Sequence, residues 1–254
     1  MDILGLNSIS IVFICLALAS IAYYEGLLNV SGTIAAFLIA LFIGYQGGLS
    51  LVFLLVIFLF SSFLATRYKF PYKKERGIQQ GLEGERGWTN VLANGAVPTF
   101  VLLIARSPLF GGIGLIRFDV AILLFVGSVA AAASDTLASE MGMVSDKVHL
   151  IINFKRVEPG TNGGISLYGE MWAFIGAAYT FLVAQAVFYI SSVEAFSLLM
   201  TLLGISIAFM SCQIDSILGA SLERKGLMGK SMVNLSAISI SITIFGGILW
   251  LLAY

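Results

Sequence analysis

This chain is poor in histidine, cysteine and charge, and each shortage removes a class of function. His149 is its one histidine, and Cys15 and Cys212 are its two cysteines, both set in apolar runs. Neither a disulfide framework nor a zinc knuckle has the material it needs. Charged residues make up 11% of the 254, against about 25% in an average soluble protein. Basic and acidic residues balance at 14 each, so no net field points to nucleic acid or to an acidic partner. What remains is 59% hydrophobic, with a mean hydropathy of +0.98. The expected fold class is all-α, a polytopic membrane helix bundle of about eight transmembrane helices forming a single domain over 1–254, with the lipid bilayer as its first partner.

Runs of about 20 apolar residues, the length that crosses a bilayer, fall at 3–24, 29–46, 48–66, 89–105, 118–140, 169–191, 194–218 and 232–253. The fourth is the weakest, broken by Asn90, Asn94 and Pro98. Met1–Asn7 carries no basic n-region, so the first run reads as a retained span rather than a cleaved signal. Of the basic residues, Arg106 and Arg117 fall on one side of this arrangement and all others on the opposite side. The positive-inside rule makes the richer side cytoplasmic, with loops at about 67–88, 141–168 and 219–231, and both termini outside a cell membrane crossed many times. Trp88, Trp172 and Trp250 sit near span ends, as interfacial anchors do.

Two spans carry carboxylates. Asp135 and Glu140 lie near the cytoplasmic end of the fifth, and Asp215 lies at a similar depth in the seventh. An acid in lipid costs several kcal/mol in order of magnitude unless something compensates it, so it marks a functional site by default. At helical spacing, Ser211, Asp215, Gly219 and Glu223 form one stripe, and Asp135, Ala138 and Gly142 form another, with Ser139 beside it. Asn90 and Asn94, Glu170 and Asn234 open other spans from the same face. The outer halves are nearly pure hydrocarbon. A transport pathway would scatter polar groups through the midplane, whereas an enzyme acting on a lipid head group needs them at one interface. The asymmetry favours the enzyme. A transporter or flippase for an anionic lipid or small molecule, using the same acids for cation coupling, is the alternative.

The loop between the fifth and sixth spans holds Lys155 and Arg156, then Pro159-Gly160-Thr161-Asn162-Gly163-Gly164-Ile165-Ser166. Successive N–H groups in a glycine-rich turn form an anion nest, and the helix start that follows adds a favourable dipole. Thr161 and Ser166 can donate hydroxyl hydrogen bonds. The Gly-Lys-Ser/Thr ending of a Walker A loop is missing. Lys73-Lys74-Glu75-Arg76 reads as a run that meets anionic lipid head groups. Hard oxygen donors such as Asp135 and Asp215 suit Mg²⁺ shared with substrate phosphates. Arg86, Lys155 or Arg156 could neutralise charge on a transferred phosphoryl or nucleotidyl group.

Four ordered motifs then carry a resemblance: Val91-Leu-Ala-Asn-Gly95, Asp135-Thr-Leu-Ala-Ser-Glu-Met-Gly142, Pro159-Gly-Thr-Asn-Gly-Gly-Ile-Ser166 and Asp215-Ser-Ile-Leu-Gly-Ala220. Between about Glu25 and Asn234 the chain resembles the integral-membrane family that includes the plant phytyl-phosphate kinases of the vitamin E pathway together with archaeal and bacterial members. It is more distantly similar to dolichol and phytol kinases and phosphatidate cytidylyltransferases, which use CTP and Mg²⁺ on lipid head groups. The resemblance implies conversion of an isoprenoid lipid phosphate to its diphosphate, with a nucleoside triphosphate as co-substrate. By position it would draw Asn94, Asp135, Glu140, Thr161, Asn162 and Asp215 into the site. Asn90 departs from the glutamine expected there but keeps the amide. Chain length of the lipid, the donor base and self-association into a homo-oligomer are open from the sequence.

Overall fold

The computed structural model describes residues 8–106, 116–190 and 196–252. Among them, seven helices are long and apolar enough to cross a membrane. They are α2 (Val30–Gly47), α3 (Leu49–Arg67), α5 (Trp88–Arg106), α6 (Phe118–Gly142), α7 (Leu167–Ile190), α8 (Leu198–Leu218) and α9 (Lys230–Leu251). The first, α1 (Ser8–Tyr24), has 17 described residues, about 25 Å of helix. Residues 3–7, expected to begin that span, lie outside the described residues, as do the expected span ends at 191, 194–195 and 253. A short helix, α4 (Phe70–Glu75), lies between α3 and α5.

α6 is the axis. In its most apolar stretch 83% of the helix is buried, against 17% to 44% for the other six spans. It packs on α3, α5, α7, α8 and α9, while α1 lies outside on α2. The sequence explains the position, because a helix that is apolar all round has no face to give to water. Its Ala130–Ala133 run and Gly142 also keep its surface thin. A side chain at Gly176 of α7 would strike the Ala133 carbonyl, and Gly169 of α7 lies against Gly142. Small residues facing each other let α6 and α7 touch almost backbone to backbone. Larger side chains, among them Phe125, Phe181, Phe245 and Leu123, fill the space farther along the bundle.

The loop between α6 and α7 is not helical. Three short strands, β1 (Val148–Leu150), β2 (Arg156–Val157) and β3 (Gly164–Ile165), form an antiparallel sheet in the order β2-β1-β3. This small sheet qualifies the all-α expectation locally. It holds the glycine-rich turn between β2 and β3. Against that turn, α8 runs into a π-helical turn, Gly219–Glu223, before α9 begins. π turns widen a helix locally and often sit at functional sites.

Candidate functional site

Asp135 on α6 and Asp215 on α8 come together. Their side chains lie close together at the sheet end of the bundle. They line a cavity of about 110 Å³ with Ser139 and Gly142 of α6, Glu170 and Gly169 of α7, Ser216, Gly219 and Glu223, and Lys230 at the start of α9. The turn from Gly160 to Ser166 closes it on the sheet side. The two helical stripes read from spacing therefore converge on one chamber, and the π turn keeps Glu223 in it. Asn234, one turn into α9, donates from Nδ2 to Asp135 Oδ2 at 3.2 Å.

Glycine is required in the turn for a stated reason. Gly163 has φ +75°, and a side chain there would run into the backbone of Ala220 in the π turn. Gly160, with φ +83°, lies against Ile78 of the α4–α5 loop. Within the turn the Thr161 hydroxyl donates to the Glu158 carbonyl at 2.6 Å, and Ser166 Oγ caps α7 by accepting from Gly169 N at 3.1 Å.

Other residues singled out by sequence lie elsewhere. Glu140 follows Asp135 by five residues, roughly 140° around the helix, and points away from the chamber. Its Oε2 accepts from Lys73 Nζ at 2.7 Å, in a pair buried on both sides. Lys73 also donates to the carbonyls of Ala65 and Thr66, at 2.9 and 3.3 Å. The expectation that this lysine meets lipid head groups is corrected: it is fully buried and pins α4 to α3 and α6. Burial pushes its ammonium below the ordinary lysine range, against the pull of Glu140. Arg86 is also buried. Its Nη2 donates to the Ser62 carbonyl and the Thr66 hydroxyl at 3.2 and 2.9 Å, and its backbone bridges to Leu27 and Asn29. It is a staple between the α1–α2 connection and α3, outside the chamber lining. Asn94 Nδ2 turns back to the Asn90 carbonyl at 2.9 Å, and neither amide lines the chamber. Lys155 and Arg156 are exposed, and Arg156 donates to the Asp146 carbonyl at 3.1 Å.

Lys230 is the lining cation that sequence reasoning passed over. In the sequence it contributes to orientation alone, although its place just ahead of Asn234 and of a span start is a usable signal. Four carboxylates against this one ammonium leave the chamber strongly acidic. Asp215 Oδ2 is buried with no hydrogen-bond partner. Two neighbouring carboxylates and an orphaned oxygen are an arrangement that a cation would relieve. Among the described residues no three His, Cys, Asp or Glu side chains converge on one point.

Residues 13–251 match the family described as integral membrane protein DUF92. This chain belongs to that family. It is 32% identical over 247 residues to the uncharacterized membrane protein MJ0933 of Methanocaldococcus jannaschii, covering 97% of this chain and 93% of that one. Two proteins of Arabidopsis thaliana are also similar. Protein PGR is 28% identical over 229 residues, 81% of this chain and 75% of its own length. Protein VTE6, chloroplastic, is 27% identical over 203 residues, 78% of this chain and 57% of its own length. No solved structure matches. The four motifs lie inside the matched span, and the family expected from them is the family found.

Proposed function

We propose that this DUF92 member is a membrane kinase that converts an isoprenoid lipid monophosphate to its diphosphate, with a nucleoside triphosphate of the CTP type as donor. The observation that carries the reading is the meeting of Asp135 and Asp215, from separate helices, under a glycine-rich turn. In the reaction an oxygen of the lipid phosphate attacks the donor's terminal phosphorus. A new P–O–P bond forms, the bond to the next phosphate breaks, and the nucleoside diphosphate leaves. Asp135 and Asp215 would hold Mg²⁺, which when bound neutralises phosphate charge as phosphoryl transfer requires. Lys230 and the N–H groups of the Gly160–Gly164 turn other than those of Thr161 and Gly164, which donate to the Glu158 and Thr161 carbonyls, bind phosphate oxygens. Asn234 keeps Asp135 oriented. Glu140, Arg86 and Asn94 support the helices around the chamber, while Lys155 and Arg156 attract anionic substrate from outside it. The basic loops at 67–88, 141–168 and 219–231 support a reading in which this end of a single membrane domain faces the cytoplasm and both termini the other side.

The test is turnover by purified protein. With Mg²⁺, labelled CTP or ATP and phytyl or geranylgeranyl monophosphate, labelled diphosphate is expected on thin-layer chromatography. Asp135→Asn and Asp215→Asn are each expected to lose at least about 100-fold in kcat, as removal of a charge-stabilising group does, while melting like the wild type. No diphosphate with any donor, together with ion-coupled uptake in liposomes, overturns the kinase in favour of a transporter.

A further inference from the structure

Beside the acid chamber lies a second and much larger recess, about 1100 Å³, open on the outer side of α7 and α8. Its wall is apolar: Met171 and Phe174 from α7 face Phe209 from α8. Its polar end is formed by the strand region, with Lys147 and His149. Phe174 and Met171 are about half exposed on a helix long and apolar enough to span a membrane, so the apolar wall faces away from the bundle core, while Ser145, Asp146, Lys147 and His149 close the end at the loop. One side chain belongs to both spaces. Glu170 lines the recess and the acid chamber alike. Its Oε2 accepts from Gln213 Nε2 at 2.6 Å, bracing α7 to α8 at the divide. Gln213 lies one helical turn from Phe209, so this brace and the apolar wall occupy the same face of α8.

We infer that this recess holds the hydrocarbon chain of the lipid whose phosphate is bound in the acid chamber. The inference rests on the kinase reading for its head group, but the recess makes a separate demand. A phosphate held in the chamber leaves its chain beside the Glu170–Gln213 brace, and the adjoining surface there is concave, apolar and turned away from the bundle core. A soluble phosphate ester would have no use for such a wall. With its carboxylate engaged by Gln213, Glu170 presents a hydrogen-bonded edge that an apolar chain can pass. Glu170 and Gln213 are then positioning residues at the junction of head group and tail, and the α7–α8 wall selects for a lipid.

The experiment is photolabelling in proteoliposomes with an isoprenyl monophosphate carrying a diazirine on its chain, read by mass spectrometry. Label is expected on Met171, Phe174 and Phe209, and unlabelled isoprenyl monophosphate should displace it while the free prenol and bulk phospholipid do not. Filling the recess with Phe174→Trp and Phe209→Trp is expected to raise the KM for isoprenyl monophosphate roughly tenfold, leaving the KM for the nucleotide in place. Displaceable label on the α7–α8 wall without diphosphate formation supports the lipid site and rejects the kinase. Turnover with displaceable label on other helices overturns the recess and leaves the kinase standing. Label on the wall that bulk phospholipid removes equally well also overturns it, because the recess would then be an ordinary bilayer contact.

Discussion

In water Lys73 would be one more solvated cation in a basic run. Buried, it directs all three ammonium protons to Glu140 Oε2 and to the carbonyls of Ala65 and Thr66. Removing Glu140 strands two buried cations, Lys73 and Arg86, and removing Lys73 leaves Glu140 with Arg86 alone as counter-charge. Lys73→Met and Glu140→Gln are each expected to cost about 3–5 kcal/mol of stability. Thermal melting in detergent checks this, and the double change Lys73→Met with Glu140→Leu should recover only part of the loss, because buried Arg86 then lacks its counter-charge. Single variants that melt like the wild type would show the pair to be idle. Asn234 makes the contrasting case, since its amide supports an acid of the chamber from outside the set of charged groups. Asn234→Ala is expected to raise the Mg²⁺ needed for half-maximal turnover about 10–100-fold, as loss of a ligand's supporting hydrogen bond does, with kcat at saturating metal little changed. An unchanged metal requirement would remove Asn234 from that role. Residue types alone could not separate these cases. Asp135 and Glu140 are both acids on one helix, and five residues of helical rotation send them to different neighbours.

At the scale of elements, the chamber depends on close approaches that only small residues allow. The α6–α7 contact through Ala133, Gly142, Gly169 and Gly176 brings Glu170 beside Asp135. The π turn after α8 then seats Ala220 against Gly163 and so locks the glycine-rich turn over the acids. Two glycines with similar backbone angles separate strain from fit. Gly163 (φ +75°) meets Ala220, whereas Gly226 (φ +71°) has nothing within 4 Å of an added side chain. An alanine at either position carries about 1–3 kcal/mol of backbone strain. Gly163→Ala is expected to abolish most turnover because the π turn must also move, while Gly226→Ala loses stability alone. Equal activity in the two variants, measured beside their melts, would show that the Gly163–Ala220 contact does not shape the site. The helical stripes were legible beforehand from i, i+4 spacing. The π turn and the strands were not, because both arise from contacts between segments far apart in the chain.

At the scale of the whole molecule, acids, glycine-rich turn and basic loops all gather at one end of the bundle. The distribution of Lys and Arg supports the proposal that this end faces the cytoplasm. Ile152, exposed in the loop after β1, is a suitable reporter, since Cys15 and Cys212 are both buried. Ile152→Cys is expected to react with a membrane-impermeant maleimide in inside-out vesicles and to stay silent in intact cells. The reverse pattern would turn the molecule over and place phosphate chemistry on the wrong side for a cellular nucleotide.

Composition and periodicity were enough to determine a polytopic helical membrane protein, the approximate limits of its spans, and two acidic stripes at a common depth. Those properties follow from local physics, because apolar length and helical repeat are written residue by residue. Tertiary structure decided which polar groups meet. It joined Asp135 to Asp215, withdrew Glu140 and Arg86 into buried staples, and brought Lys230 into the chamber. Such pairings depend on helix rotation and on how closely neighbouring backbones can approach, and both are set by contacts across the whole bundle rather than by neighbours in the chain.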